Sequence, residues 1–116
     1  MSHNQFQFIG NLTRDTEVVH SNSGGQRAIF DIAVNRVWRN NAGEKQERTD
    51  FFRIKSFGSG CEAHGKYLGK GSKVFVQGRI ENTKYEKDGQ DVYGTDFIAE
   101  EVEYLDTKAP GASNQE

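Results

Sequence analysis

Several things are scarce in this 116-residue sequence, and each scarcity closes off a class of protein. Cys61 is the one cysteine, so no disulfide can form within the chain, and a thiol buried in the core of a cytoplasmic protein is expected. Apolar runs extend only a few residues, far short of the ~20 that a membrane-spanning helix requires. No charged-then-apolar leader opens the chain, so a soluble protein without a membrane partner is expected. His3, His20 and His64 lie too far apart for a spacing-based zinc motif. The glycines at Gly24-Gly25-Gln26-Arg27 are not followed by the Lys-Ser/Thr of a phosphate loop. Neighbouring residues suggest neither a Ser/His/Asp nor a Cys/His arrangement. The expectation is a protein that is not an enzyme and carries no metal or cofactor.

Charge is scarce too, with a formal net of −2, but it is unevenly spread. Residues 1–95 hold 14 Lys and Arg against 11 Asp and Glu, a net of +3, and the acidic balance is concentrated from Asp96 onward. An excess this small cannot draw a polyanion by bulk attraction, so any such surface must come from the placement of individual cations.

What the sequence has in abundance is alternation. Five stretches repeat apolar and polar residues at the period of a strand: Gln5 to Thr13, Gln26 to Arg39, Glu47 to Phe57, Ser72 to Tyr85 and Val92 to Leu105. Phe6, Phe8, Leu12, Ala28, Phe30, Ile32, Val34, Val74, Val76 and Ile80 fall on the inward parity. Asn40-Asn41-Ala42-Gly43-Glu44 and Lys87-Asp88-Gly89-Gln90 read as hairpin turns. Gly78 interrupts the fourth strand as a bulge or barrel corner would. The stretch from Gly58 to Gly71 holds the one plausible helix, weakened by its own glycines. Three strands, a short helix and two more strands is the order of an all-β OB-fold, a five-stranded Greek-key barrel with long projecting hairpins. Such a domain would span residues 1–105, followed by a short, flexible polar tail over 106–116.

The third strand carries the strongest chemical signal. Alternation puts Phe52, Ile54 and Ser56 on one face and Phe51, Arg53, Lys55 and Phe57 on the other. Burying the second set would strand two cations in the core without evident partners, at a cost of several kcal/mol per charge. The first set therefore faces inward, leaving aromatic, cation, cation, aromatic toward solvent. Such a row suits a strand of nucleic acid, whose bases stack on rings while its phosphates meet the cations. The fourth stretch repeats the pattern with Phe75, Arg79 and Tyr85 on its outward parity, and Tyr85 sits beside Lys84. Trp38, with Arg36 and Arg39 on either side, occupies the matching end of the first hairpin. Trp38 has the inward parity of Phe30 and Ile32, and it reaches solvent only if the barrel ends before it. Other roles stay open: a core anchor for Trp38, packing under the helix for Phe57, a subunit contact for Phe75, a cross-strand pair with Tyr93 for Tyr85.

The segments Gly10-Asn11-Leu12-Thr13-Arg14-Asp15-Thr16-Glu17, Trp38-Arg39, Tyr67-Leu68-Gly69-Lys70-Gly71-Ser72 and Val76-Gln77-Gly78-Arg79-Ile80 resemble the bacterial-type single-stranded DNA-binding proteins. The similarity spans about residues 4–105 in one register. It implies an OB barrel assembled as a homotetramer and acting on single-stranded DNA in replication, recombination and repair. Stacking sites implied by the resemblance fall on Trp38, Phe51, Phe57 and Tyr85. Phosphate contacts fall near Arg39, Arg53, Lys70 and Lys84, and strand parity adds Lys55. Phe51 and Tyr85 stand where the family often has tryptophan, and Thr16 where it often has proline. The long Gly/Gln-rich linker and acidic tip are missing, so tail-mediated recruitment of replication and repair enzymes is not expected. A short version of the kind carried by plasmids, phages or mobile elements fits this departure. Two other readings remain: an OB-fold primosome accessory subunit that docks proteins, and an RNA-binding OB module, which differs in how it treats the 2′-hydroxyl.

Overall fold

The computed structural model describes residues 2–58 and 60–111. Its strands are β1 (Phe6–Leu12), β2 (Glu17–His20), β3 (Gln26–Arg39), β4 (Lys45–Phe57), β5 (Lys73–Lys87) and β6 (Gln90–Asp106), with helix α1 (Cys61–Tyr67) between β4 and β5. They pair in the order β1-β5-β6-β4-β3-β2, and an added β1–β3 pairing closes the sheet into a barrel. β1 runs against β5 from Phe6 to Asn11, passes to β3 at Asn11 and Leu12, and β2 then continues along β3. β1 and β2 are thus two halves of one barrel strand, which makes the five-stranded OB barrel expected from the sequence. The short second half escapes sequence reading because Val18 and Val19 are adjacent and both half-buried, so no alternation marks it. The β4–β6 contact, at Ile54 and Phe97, is parallel, and the other pairings are antiparallel.

Inward parity fills the barrel. Phe6, Leu12, Phe30, Ile32, Ile54, Leu68, Val74 and Val76 form the buried cluster, flanked by half-buried Phe8, Val34, Phe52, Ile80, Phe97 and Val102. Four rings gather at one end: Phe8 stacks on Phe52 at 4.2 Å between centroids, Phe97 meets Phe52 edge-on at 5.4 Å, and Phe6 meets Phe97 edge-on at 5.3 Å. Helix α1 plugs the other end, with His64 against Phe30 and Leu68 fully buried just beyond its last turn. No side chain caps its N-terminus. At this length the helix rests on packing rather than propensity. Cys61 is buried and donates to the Ser56 carbonyl at 3.2 Å, the core placement expected of it.

Two local devices shape the barrel. The β5–β6 register shifts between Gln77 and Gly78, where a Cβ on Gly78 would collide with the Ile98 carbonyl oxygen, so only glycine lets β6 lie this close. At the tip of the same hairpin, Asp88 and Gly89 adopt φ of 52° and 78°, the pair of positive values a tight two-residue turn needs. The other hairpin closes on Asn40, whose Oδ1 accepts from the Ala42 and Glu44 amides at 3.0 and 2.9 Å.

Both hairpins run past the barrel. The radius of gyration, 16.6 Å, exceeds the ~13 Å expected of a compact chain of this length because of these ribbons. At the other extremity, β6 extends to Asp106, and the Lys108 carbonyl accepts from the Gly69 amide and the Ser72 hydroxyl. The chain therefore stays anchored three residues beyond the boundary expected at Leu105. The last part of the expected tail, 112–116, lies outside the described residues.

Candidate nucleic-acid interface

β3 and β4 present the site. Directly paired residues of an antiparallel ladder share a face, and the register sets Phe51 opposite Ala33, Arg53 opposite Asp31, Lys55 opposite Ile29, and Phe57 opposite Arg27. This is the outer face. Phe51 is 68% exposed and Phe57 56%, while Ile54 between them is fully buried. β4 is thus folded with Phe52, Ile54 and Ser56 inward and Phe51, Arg53, Lys55 and Phe57 outward, as alternation predicts.

Three adjoining depressions cross this face. One, of about 490 Å³, lies between Thr13, Asp31, Phe51 and Arg53. The next, about 430 Å³, shares Phe51 and Arg53 with it and adds Lys55, Asp96 and Arg27. The third, about 410 Å³, shares Arg27 with the second and ends at Phe57, Val19 and Ser21. Shared walls make one groove, with Phe51 and Phe57 toward its two ends and Arg27, Arg53 and Lys55 between. Half-buried Phe52 and Phe97 line it from the barrel side, so its apolar walls are continuous with the aromatic end of the core.

The cations are not bare. Arg53 donates through Nε and Nη2 to the two carboxylate oxygens of Asp31, at 2.9 and 3.3 Å, and Arg14 Nε donates to the same carboxylate at 3.0 Å. The Arg53 hydrogen bond, with Arg14 beside it, holds the Asp31 carboxyl below its ordinary pKa despite partial burial. Lys55 Nζ reaches Asp96 at 3.1 Å. Arg27 makes no ion pair among the described residues, and it stands opposite Phe57. Sequence reading passed over Arg27, Arg14 and Asp31. The signal for Arg27 and Asp31 was present in β3, whose outward parity carries Arg27, Ile29 and Asp31 just as β4 carries its cations.

The remaining predicted residues lie on the ribbons or at the barrel's far end. Trp38 is 41% exposed, beyond the last core residue of β3, and the Arg36 guanidinium sits 5.1 Å over its ring. Arg39 Nη1 donates to the Gly43 carbonyl across the hairpin loop. Tyr85, 56% exposed, is paired with Val92 and not with Tyr93. Tyr93 instead faces Lys84, whose Nζ lies 5.8 Å from its ring and 3.5 Å from Asp91. The two tyrosines therefore occupy opposite faces of the β5–β6 ribbon. Lys70 lies in the loop after α1, where its amide donates to Asp15, and it does not line the groove. Phe75 is half-buried on the outer face of β5, opposite exposed Ile9 of β1.

Residues 3–105 match the model of the Single-strand binding protein family. The chain belongs to that family. Among relatives of this single-strand binding family is "Single-stranded DNA-binding protein 1" of Staphylococcus aureus strain Mu50, 40% identical over 114 residues, which cover 97% of this chain and 72% of that protein. A single-stranded DNA-binding protein of strain N315 matches to the same extent. Two solved structures have the same fold. The Plasmodium falciparum SSB in complex with ssDNA superposes with a TM-score of 0.82 at 29% identity, covering 91% of this chain and 97% of that one. A deletion mutant of the single-stranded DNA binding protein from Thermus aquaticus gives 0.83 at 28% identity, covering 90% and 51%.

Proposed function

We propose that this chain binds single-stranded DNA with little regard to sequence and shields it during replication, recombination or repair, by stacking bases on rings and holding phosphates with cations. The observation that carries this reading is the groove on β3 and β4, which sets Phe51 and Phe57 in solvent with Arg27, Arg53 and Lys55 between them. Exposing two phenylalanine rings on a regular strand forgoes the apolar burial that the same strand achieves with Ile54, and a stacked base would recover part of it. Trp38 and Tyr85 serve as further platforms on the ribbons. Arg39, Lys70 and Lys84 serve as flanking phosphate contacts.

The active form in this reading is a homotetramer. Exposed Ile9 beside Phe75, with Gln7 bonded to Gln77 on the same β1–β5 face, offers apolar and amide surface for a second copy. The role is binding without catalysis, so labelled strands incubated with the protein and a divalent metal should stay intact. No helix among the described residues is long and apolar enough to cross a membrane.

Competition between a thymidine oligomer, an oligouridine of equal length and a duplex tests the function. The thymidine strand should bind far more tightly than the duplex, whose paired bases hide the faces that the rings need. Preference for the duplex would refute the proposal, and preference for oligouridine would move the chain to the RNA-binding reading.

A further inference from the structure

The groove's cations come with their own carboxylates, and this has consequences for how a phosphate can enter. Between Phe51 and Phe57 the outward positions of β4 are Arg53 and Lys55, and each is hydrogen-bonded to an acid from a neighbouring strand, Asp31 on β3 and Asp96 on β6. Asp31 is mostly buried, and three guanidinium donors converge on its carboxylate. Moving it out of the groove would break all three of these hydrogen bonds. The side chains of Asp96 and Lys55 are also mostly covered. Both carboxylates line the same depression as Phe51 or adjoin it, so a backbone threading between the rings passes within a few ångströms of two fixed negative charges.

We propose that Asp31 and Asp96 are built-in counter-ions that set the chain's affinity for single-stranded DNA, holding it below what Arg53 and Lys55 would give alone. This rests on the DNA-binding reading and adds to it the residues that limit binding strength. Asp31 takes up Nε and one Nη2 hydrogen of Arg53, so a phosphate meets the three N–H groups that remain, and it does so beside the Asp31 charge. With Asp31 shared by Arg14 and Arg53, and Asp96 on Lys55, this cluster of three cations carries a net charge of +1 and not +3. It therefore releases few of the cations condensed on the strand, and the salt dependence of binding is shallower than the number of basic residues in the groove would suggest. Glu100, Glu101, Glu103 and Asp106 carry most of the chain's acidic surplus farther along β6, so Asp31 and Asp96 act by position and not through net charge.

The test measures affinity for a fluorescein-labelled thymidine oligomer over a range of salt, using the unsubstituted chain, Asp31→Asn, Asp96→Asn and Glu103→Gln. Glu103 is exposed on β6 opposite Phe75, away from the groove, and its replacement makes the same change in net charge. Each groove variant should bind about ten-fold more tightly at low salt, as expected for removing one like charge close to a phosphate. The log–log salt slope should steepen by ~0.7 for each phosphate newly neutralised. Glu103→Gln should gain much less. Unchanged or weaker binding by folded Asp31→Asn and Asp96→Asn would overturn the inference, because a purely structural role for these acids predicts that result. An equal gain from Glu103→Gln would overturn it too. If Asp31→Asn does not fold, Asp96→Asn decides alone. Failure of the unsubstituted chain to bind the oligomer would instead sink the DNA-binding function itself.

Discussion

At the level of single residues, Phe51 shows how exposure separates binding from stability. Most of its ring is in water, opposite Ala33, so Phe51→Ala removes little from the core and should leave the unfolding midpoint within the usual range for surface changes, about ±0.5 kcal/mol. In single-strand binding the same change should cost about 1–3 kcal/mol, the worth of one stacked base. Titration of the variant with a thymidine oligomer, paired with a denaturant melt, checks both halves. His64 is the opposite case. It is buried under the barrel with Nδ1 2.7 Å from the Tyr104 hydroxyl, and burial lowers its pKa below the ordinary value of about 6.5. The folded protein therefore binds this proton less readily than the unfolded chain does. Its contribution to stability is complete above about pH 6.5 and falls as pH drops through that value toward the depressed folded pKa. Thermal melts between pH 7.5 and 5 should show the midpoint falling, and His64→Gln should flatten that fall. Asp31, whose folded pKa is lowered chiefly by Arg53, contributes in a separate, more acidic window, with its stabilisation lost below about pH 4.

At the scale of elements, five strands were legible, with ends within two residues of those observed and both ends of β3 met, and the short β2 was not. β3, β4 and β5 advertise themselves because one face of each is buried, so alternation records the fold directly, and every residue assigned inward on these grounds is buried or packs on the core. β2 left no such trace. Leu68 likewise escaped, since it is buried by the loop geometry after α1 and not by any strand period. In the candidate site, Phe51, Arg53, Lys55 and Phe57 could be read from one strand, whereas the Asp31 carboxylate beside Arg53 emerges only when the β3–β4 register is counted back from the hairpin loop, Arg39 opposite Lys45. Trp38 needed a further fact, that the core stops at Val34, before its inward parity could be reconciled with its exposure. Gly78 supplies the stability prediction at this scale. Gly78→Ala forces a methyl into the Ile98 carbonyl at the β5–β6 bulge, which should destabilise the fold by about 1–3 kcal/mol. A denaturant melt of the variant checks it, and an unchanged midpoint would mean that β6 can shift away freely.

For the whole molecule, a closed barrel supplies rigidity and the two ribbons supply reach. Aromatics are spread over the groove and both ribbons, so a bound strand must follow a long path over the surface, and a tetramer would multiply that path. Light scattering coupled to size exclusion should report the mass of four chains, and Ile9→Lys, which puts a charge on the β1–β5 face, should lower it without unfolding the barrel. The central claim is narrower: bases lie on the outer face of β3 and β4. Photocrosslinking of a bromodeoxyuridine oligomer to the unsubstituted protein, with the attached residues mapped by mass spectrometry, tests it most directly. Crosslinks at Phe51, Phe57 and Trp38 are the predicted result. Crosslinks confined to the β1–β5 face, with none on β3 or β4, would contradict it.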